Sequence, residues 1–404
     1  MSAARCAGLP FLTAILALGL VAGCASTPVP SPSPSGPWHV ASVGVTGTLS
    51  QIPAGLTIGD FCSPCDSTDE SELVAVATGT AGLVGVGVTT PGPQAAIWQS
   101  SDGQAWQPAS GFASPPQSAL LGVVDGPRGW VAVGTVGRAG AAWQSSDGAT
   151  WTAATTGLTT PGTVHLSAVS TTQTGYLAGG AVIDQAGATA ATVWGSADGR
   201  TWTAQALPGG SGAEIHGLAS AGTTTVAVGW ATEAGIDRAV AWWTADGRTW
   251  QRIPLDPAAG TRAQAVAHTD AGWVTVGSRA DQTMAAAWTS PDGRTWSPAH
   301  SIEGSQVAGG GEIQMLAVAP AGPGVVAVGW RDSSGNGNGT AWSSADGTVW
   351  QRLPDADSFS GAILSGVTVA GTQEVVVGAV GRPDNPSATV WLAASDIGGP
   401  TAGP

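Results

Sequence analysis

The chain has no lysine; all 13 of its basic residues are arginine, set against 27 acidic ones, for a formal net charge of −14 over 404 residues. A surface this acidic is repelled by phosphate backbones and anionic headgroups, which argues against a nucleic-acid partner. Charged residues of both signs make up only 10% of the chain. Four cysteines are too few for a disulfide scaffold. The five histidines show no H-E-x-x-H spacing, and no phosphate loop or nucleophile elbow is present, so neither a metal nor a cofactor is expected. The run Asp332-Ser-Ser-Gly-Asn-Gly-Asn338 lacks the residue order of an EF-hand and reads as a hairpin tip. The one sustained apolar run, Leu9 to Ala22, is too short to span a bilayer comfortably.

What the chain has in excess is glycine (61), proline (27) and tryptophan (19). Much of this falls into two interleaved repeats. The phrase Ser/Thr-x-Asp-Gly-x-x-Trp occurs six times, ending at Trp106, Trp151, Trp202, Trp250, Trp296 and Trp350. A β-branched run closed by glycine occurs seven times, ending at Gly87, Gly134, Gly180, Gly229, Gly277, Gly329 and Gly378. An apolar residue lies upstream of each glycine (Val76, Val123, Val169, Leu218, Val266, Val318, Val367), and a tryptophan lies downstream (Trp98, Trp143, Trp194, Trp242, Trp288, Trp342, Trp391). Each unit therefore reads as four short strands, A to D, in a repeat of the size of one propeller blade. There are seven A–B–C sets but only six C–D phrases. The missing D strand is supplied by the other end of the chain, where Pro37-Trp38-His39-Val40-Ala41 reads as a D strand. The expectation is an all-β, seven-bladed propeller of four-stranded blades over residues 38–395, its last blade closed by the N-terminal strand.

The repeated phrase resembles the Asp-box of bacterial neuraminidase-repeat propellers, with one residue fewer between Asp and Gly. The resemblance implies that the boxes sit on the outer rim, away from any ligand. Asp102, Asp147, Asp198, Asp246, Asp292 and Asp346 are accordingly expected to be structural, capping backbone N–H groups of the C–D turn. The twelve tryptophans of these hairpins are expected in the core.

At the N-terminus, Arg5, the apolar run and Val21-Ala22-Gly23-Cys24 resemble a bacterial lipoprotein signal with its lipobox. That resemblance implies a signal peptide over 1–23 and lipidation of Cys24. It also implies a place on the extracytoplasmic face of the cell membrane. Residues 24–37 alternate Pro and Ser and read as an extended tether of about 40 Å. An insertion at about 49–70 carries Cys62-Ser-Pro-Cys65, and residues 396–404 read as a flexible tail. In an exported chain Cys62 and Cys65 are expected to pair as a short disulfide. A redox role would need a lowered thiol pKa, which Asp60, Asp66, Asp69 and Glu70 oppose.

Function is less legible. Sialidases of the resembled family use an arginine triad and a Tyr/Glu couple, often with an Arg-Ile-Pro near the N-terminus. Here Arg252-Ile253-Pro254 and Arg352-Leu353-Pro354 both follow boxes, as repeat features, and the only tyrosine, Tyr176, opens strand B of the third unit. The scarce charges gather instead on the D–A and B–C connections, opposite the box turns. Glu72, His165, Glu214, Arg262 and Glu312 lie near the start of strand A, and Arg279, Asp281 and Arg331 lie on B–C loops. These are the candidate ligand-binding residues; solvated loops are the alternative. The leading function is a membrane-anchored binding or assembly scaffold of the cell envelope, taking an envelope protein, a glycan or a small polar ligand. A glycoside hydrolase, sialidase-like or other, is the alternative, and it would require two facing carboxylates. Replacing Cys24 by Ala should move the protein from the membrane to the soluble fraction on centrifugation of cell lysates; an unchanged membrane fraction would defeat the lipid anchor.

Overall fold

The computed structural model describes residues 39–43, 71–89, 93–154, 156–332, 337–354, 356–382 and 385–394. The residues read as a signal segment, a tether and a tail, together with Cys24, Trp38, the segment with Cys62 and Cys65 and most of the run after Asp332, lie outside them. Among the described residues, the only helical element is one 3-10 turn, Asp357–Phe359; all other regular structure is strand.

Seven antiparallel sheets follow one another along the chain. Blade 4 is typical: strand A is Ala213–Ala221, B is Thr224–Glu233, C is Ile236–Thr244 and D is Gln251–Pro254. The A strands of the other blades are Ser71–Gly79, Ser118–Gly126, Thr163–Thr172, Arg262–Thr269, Glu312–Ala321 and Ala362–Ala370. Each A strand contacts the A strand of the next blade, and that of blade 7 contacts that of blade 1, so the ring is closed. Closure is made by hydrogen bonding. His39 and Val40 pair antiparallel with Leu392 and Trp391 on strand C of blade 7 (Asn385–Ala394), and the Ala41 amide donates to the Val390 carbonyl at 2.9 Å. The chain then crosses to blade 1, where Ser42 and Val43 pair in parallel with Ala105 and Trp106. Similar parallel staples cross between later blades at Gly111–Thr150, Thr156–Thr201 and Ser301–Val349.

The core is not one cluster but seven, each filling the space between two adjacent blades. The one at the closing junction, with Ala41, Leu73, Trp98, Trp106, Val375, Val390 and Leu392, is built like the rest. A blade therefore packs on both faces. That is why strand B, as in the buried stretch Val226–Ala231, is apolar on both sides rather than alternating with polar residues.

The glycine that ends each B run has a steric cause. Strand A carries a β-bulge in every blade, beginning at the residue paired with that glycine: Leu73, Leu120, Leu166, Ile215, Ala263, Met315 and Leu364. The bulge pushes the carbonyl of the residue before it toward strand B. A Cβ on Gly229 would overlap the carbonyl oxygen of Glu214, and the other six glycines face the same overlap.

The repeated turns form one hydrogen-bond pattern. In the first, the Gly103 amide donates to Ser100 Oγ at 2.8 Å, the Gln104 and Ala105 amides donate to Asp102 Oδ1 at 2.8 and 3.3 Å, and Trp106 Nε1 donates to the Gly103 carbonyl at 2.8 Å. Gly103 has φ 76°, a conformation that favours glycine. The same backbone donors hold the other five Asp carboxylates. All six lie below the ordinary aspartate range: burial, the largest single influence at Asp346, opposes this in each, and the backbone amides with neighbouring Ser and Thr hydroxyls outweigh it. Of the twelve hairpin tryptophans, eleven are buried, and Trp296 is half-buried at the rim.

Gly229→Ala should cost about 1–3 kcal/mol by overpacking. Gly195→Ala, where a Cβ meets nothing within 4 Å, should change stability by less than about 0.5 kcal/mol. Urea midpoints of the two variants measure the contrast, and equal effects would contradict the bulge argument.

Candidate functional site

The bulges also define a ring of equivalent positions. The residue just before each bulge, paired with the residue after the B-strand glycine, is Glu72, Ala119, His165, Glu214, Arg262, Gln314 and Ile363 in blades 1 to 7. Two residues later come Val74, Leu121, Ser167, His216, Gln264, Leu316 and Ser365. The polar members concentrate on blades 3 to 6. Buried among apolar strands, they must find partners in one another.

They do so in two stretches of one arc. Glu214 Oε2 lies 3.5 Å from His216 Nε2. The His216 ring stacks on Trp230 with centroids 3.7 Å apart and planes 8° from parallel, and the Arg262 guanidinium lies 4.9 Å from the centre of a Trp230 ring. Arg262 in turn donates from Nε to Asp237 Oδ2 at 2.8 Å, and Asp237 accepts from Thr232 Oγ1 at 2.6 Å. Beyond it, Gln264 Nε2 reaches Gln314 Oε1 at 3.4 Å, and Gln314 Nε2 donates to Gln282 Oε1 at 2.6 Å. Gln282 stands in a loop where three successive residues, Ala280, Asp281 and Gln282, have φ of 51°, 52° and 70°, strained values for side chains other than glycine. That loop is tied down by the Asp281 amide to the Gly260 carbonyl and by the Ile313 amide to the Gln282 carbonyl.

Electrostatics separates the carboxylates. Burial alone pushes Glu72 up to about 7. Burial also opposes ionisation of Glu214, but the neighbouring His216, His165 and Arg262 overcome it and hold that carboxyl below its ordinary value. Burial lowers His165 to about 4, against the opposing pull of Glu214, and lowers His216 as well. Half-buried Glu312 is raised by burial and by Asp332, with Arg262 acting in the other direction.

Of the residues singled out in the sequence, the structure brings His165, Glu214, Arg262 and Glu312 into one electrostatic neighbourhood. Glu72 occupies the equivalent ring position on blade 1, and no charged neighbour contributes to its shift. Glu312 lies two residues before the ring position of its blade, which Gln314 fills. Arg279, Asp281 and Arg331 stand at the same end of the blades, partly or fully exposed. Sequence reading missed His216, Gln264, Gln314 and Gln282. The available signal was the pattern Glu-x-His, Arg-x-Gln and Glu-x-Gln within strands otherwise apolar. Tyr176 serves packing instead, donating to the Gly129 carbonyl at 2.7 Å and accepting from the Arg128 amide at 3.1 Å across the junction of blades 2 and 3. Arg252 pairs with Glu233 at 2.7 Å and Arg352 donates to Thr340 Oγ1 at 3.3 Å, each on its own blade. Among the described residues, no group of three or more His, Cys, Asp or Glu side chains could hold a metal ion.

Opposite pH effects follow from Glu72 and His165. A carboxyl whose folded pKa is raised binds its proton more tightly in the fold, so its contribution falls as pH climbs from about 4.5 to about 7, by on the order of 3 kcal/mol. A histidine depressed to about 4 acts in reverse, adding stability as pH rises from there to about 6.5. The two partly cancel in the wild type, so the informative quantity is a difference. Glu72→Gln should gain stability relative to wild type progressively between pH 4.5 and 7 in urea titrations; a difference that does not vary with pH would contradict the burial of an unpaired carboxyl.

No protein-family model and no curated protein matches the chain. Solved structures do. The WD40 β-propeller domain of Doa1 superposes with a TM-score of 0.51 at 10% identity, covering 82% of this chain and 95% of that domain. A periplasmic gluconolactonase of Pseudomonas aeruginosa gives 0.45 at 11%, covering 80% and 96%. The Trypanosoma rangeli sialidase gives 0.46 at 13%, with 71% of this chain matched, and the match spans just over half (56%) of the sialidase. At these identities the likeness is one of fold: the chain is a seven-bladed β-propeller with sialidase, gluconolactonase and WD40 propellers among its structural neighbours.

Proposed function

We propose that this protein is a lipid-anchored, extracytoplasmic propeller of a bacterial cell envelope that binds a polar ligand, small molecule, glycan or protein loop, at the mouth of its central channel. The observation that carries the reading is the polar arc on four successive inner strands, from His165 through Glu214, His216 and Arg262 to Gln314. An arc of alternating acceptors and donors on rigid strands suits recognition of a hydroxylated or mixed-charge group. Arg262 is already paired with Asp237, and Glu214 has His216 and Arg262 near it. Compensation of this kind favours holding a ligand over transferring a proton. The tether and the expected lipid on Cys24 would present the propeller at the membrane surface, and the neuraminidase-repeat resemblance of the turns accounts for the rim and not for the site.

A glycoside hydrolase is the second reading, and one observation favours it. The raised pKa of Glu72 suits a proton donor. Glu214, held ionised, would then have to face it across the channel at roughly 5–10 Å.

One experiment separates the two. A photo-crosslinking side chain at position 314 of the full-length protein in native envelopes should capture a ligand or partner, and Arg262→Ala should reduce capture at least tenfold. Hydrolysis of a glycoside panel by the same protein, abolished by Glu72→Gln, would overturn binding in favour of catalysis.

A further inference from the structure

The face opposite the proposed channel site carries a cavity of about 350 Å³ between blades 3 and 4. Its origin lies in a break in the repeat. Three of the repeated turns carry arginine after the glycine: Arg200, Arg248 and Arg294. In two cases the preceding blade meets that arginine with the residue following the first tryptophan of strand C. Gln144, on Ala139–Ser145, accepts from Arg200 Nη2 at 3.2 Å, and Trp243, on Ile236–Thr244, receives the Arg294 guanidinium 3.5 Å from its ring centre.

For Arg248 the equivalent residue is Gly195, on Thr189–Ser196. The register confirms the equivalence: Gly195 pairs with Leu177 as Gln144 pairs with Val131 and Trp243 with Val226. The turn glycine of the same junction tells the same story. A Cβ on Gly199 would meet Gln144, one on Gly293 would meet Trp243 and one on Gly347 would meet Thr289. On Gly247 it would meet nothing within 4 Å, and on Gly195 likewise. Two glycines facing each other thus leave open a space that Gln144, Trp243 and Thr289 occupy at the three junctions just named.

We propose that this space is a second binding site, for a small carboxylate carrying hydroxyl groups. Arg248 lines it, and its guanidinium has the planar fork that grips a carboxylate through two parallel hydrogen bonds. Thr172, Thr174 and Thr223 line it from the A–B turns of the two blades and present hydroxyls. Asp246 also borders it, but its Oδ1 accepts from the Arg248 and Thr249 amides and its Oδ2 from Thr249 Oγ1. The volume lies at the lower end of the range for small-molecule sites, roughly 300–1,000 Å³, which suits a single sugar-acid ring.

The repeat itself supplies the decisive variant. Gly195→Gln should fill the cavity and pair with Arg248 as Gln144 pairs with Arg200, without disturbing the fold; thermal melting checks that it does not. In calorimetric titration of the full chain in detergent, D-glucuronate should bind saturably to the wild type. Gly195→Gln and, independently, the surface change Arg248→Ala should each weaken that binding at least tenfold. D-glucose and inorganic phosphate should bind more weakly than glucuronate, and Arg262→Ala in the channel should leave glucuronate binding unchanged. No saturable binding by the wild type, equal binding by Gly195→Gln, tighter binding of phosphate, or loss of binding in Arg262→Ala would each overturn the assignment. Because the two sites lie on opposite faces and share no residue, failure here leaves the channel reading to its own test.

Discussion

Everything in this molecule depends on a few hydrogen bonds between residues that are some 350 positions apart in the chain. His39, Val40 and Ala41 complete blade 7, and with that the last inner strand comes to lie beside the first. Each blade is apolar on both faces. An unclosed array would therefore leave two such faces in water, along with the open edge of the strand at Trp391. Closure turns the seventh junction into an ordinary one, with its own buried cluster and a parallel staple onto blade 1. Several links of the polar arc run between neighbouring blades: Arg262 to Asp237, Gln264 to Gln314 and Gln314 to Gln282.

Within the ring, one local device sets the inner geometry seven times. The bulge in strand A, accommodated by a glycine in strand B, sets one residue per blade at an equivalent position of the inner strand. The residue there varies from blade to blade: alanine and isoleucine in blades 2 and 7, but His165, Glu214, Arg262 and Gln314 in succession. A second device, the capped Ser/Thr-x-Asp-Gly turn, fixes the opposite rim and draws its carboxylates into backbone hydrogen bonds. Function is thus sought where the repeat allows variation or where it fails. The arc is a case of variation, and the paired glycines at 195 and 247 are a case of failure.

Much of this was legible in the sequence because it rests on local, periodic chemistry. Turn residues at fixed offsets, apolar runs ended by glycine, and a tryptophan without its box gave the blade count and the closing strand. The site was harder to read for a physical reason. A bulge shifts the face on which a side chain emerges, so spacing alone could not tell that Gln314, and not Glu312, occupies the ring position of blade 6. His216 and Gln264 stand out as site residues only once their partners are known, Glu214 and Trp230 on the same blade for His216 and Gln314 on the next blade for Gln264. Tyr176 was unassignable from one chain. Its role lies in two backbone contacts to blade 2, nearly fifty residues earlier.

Hydrogen–deuterium exchange on the full chain tests closure most directly. The account predicts that peptides covering 39–43 and 385–394 exchange as slowly as those from the inner strands of blades 3 to 5, through global opening alone. Exchange of the 385–394 segment within seconds, at the rate of a free sheet edge, would contradict a closed ring and remove the basis for the channel.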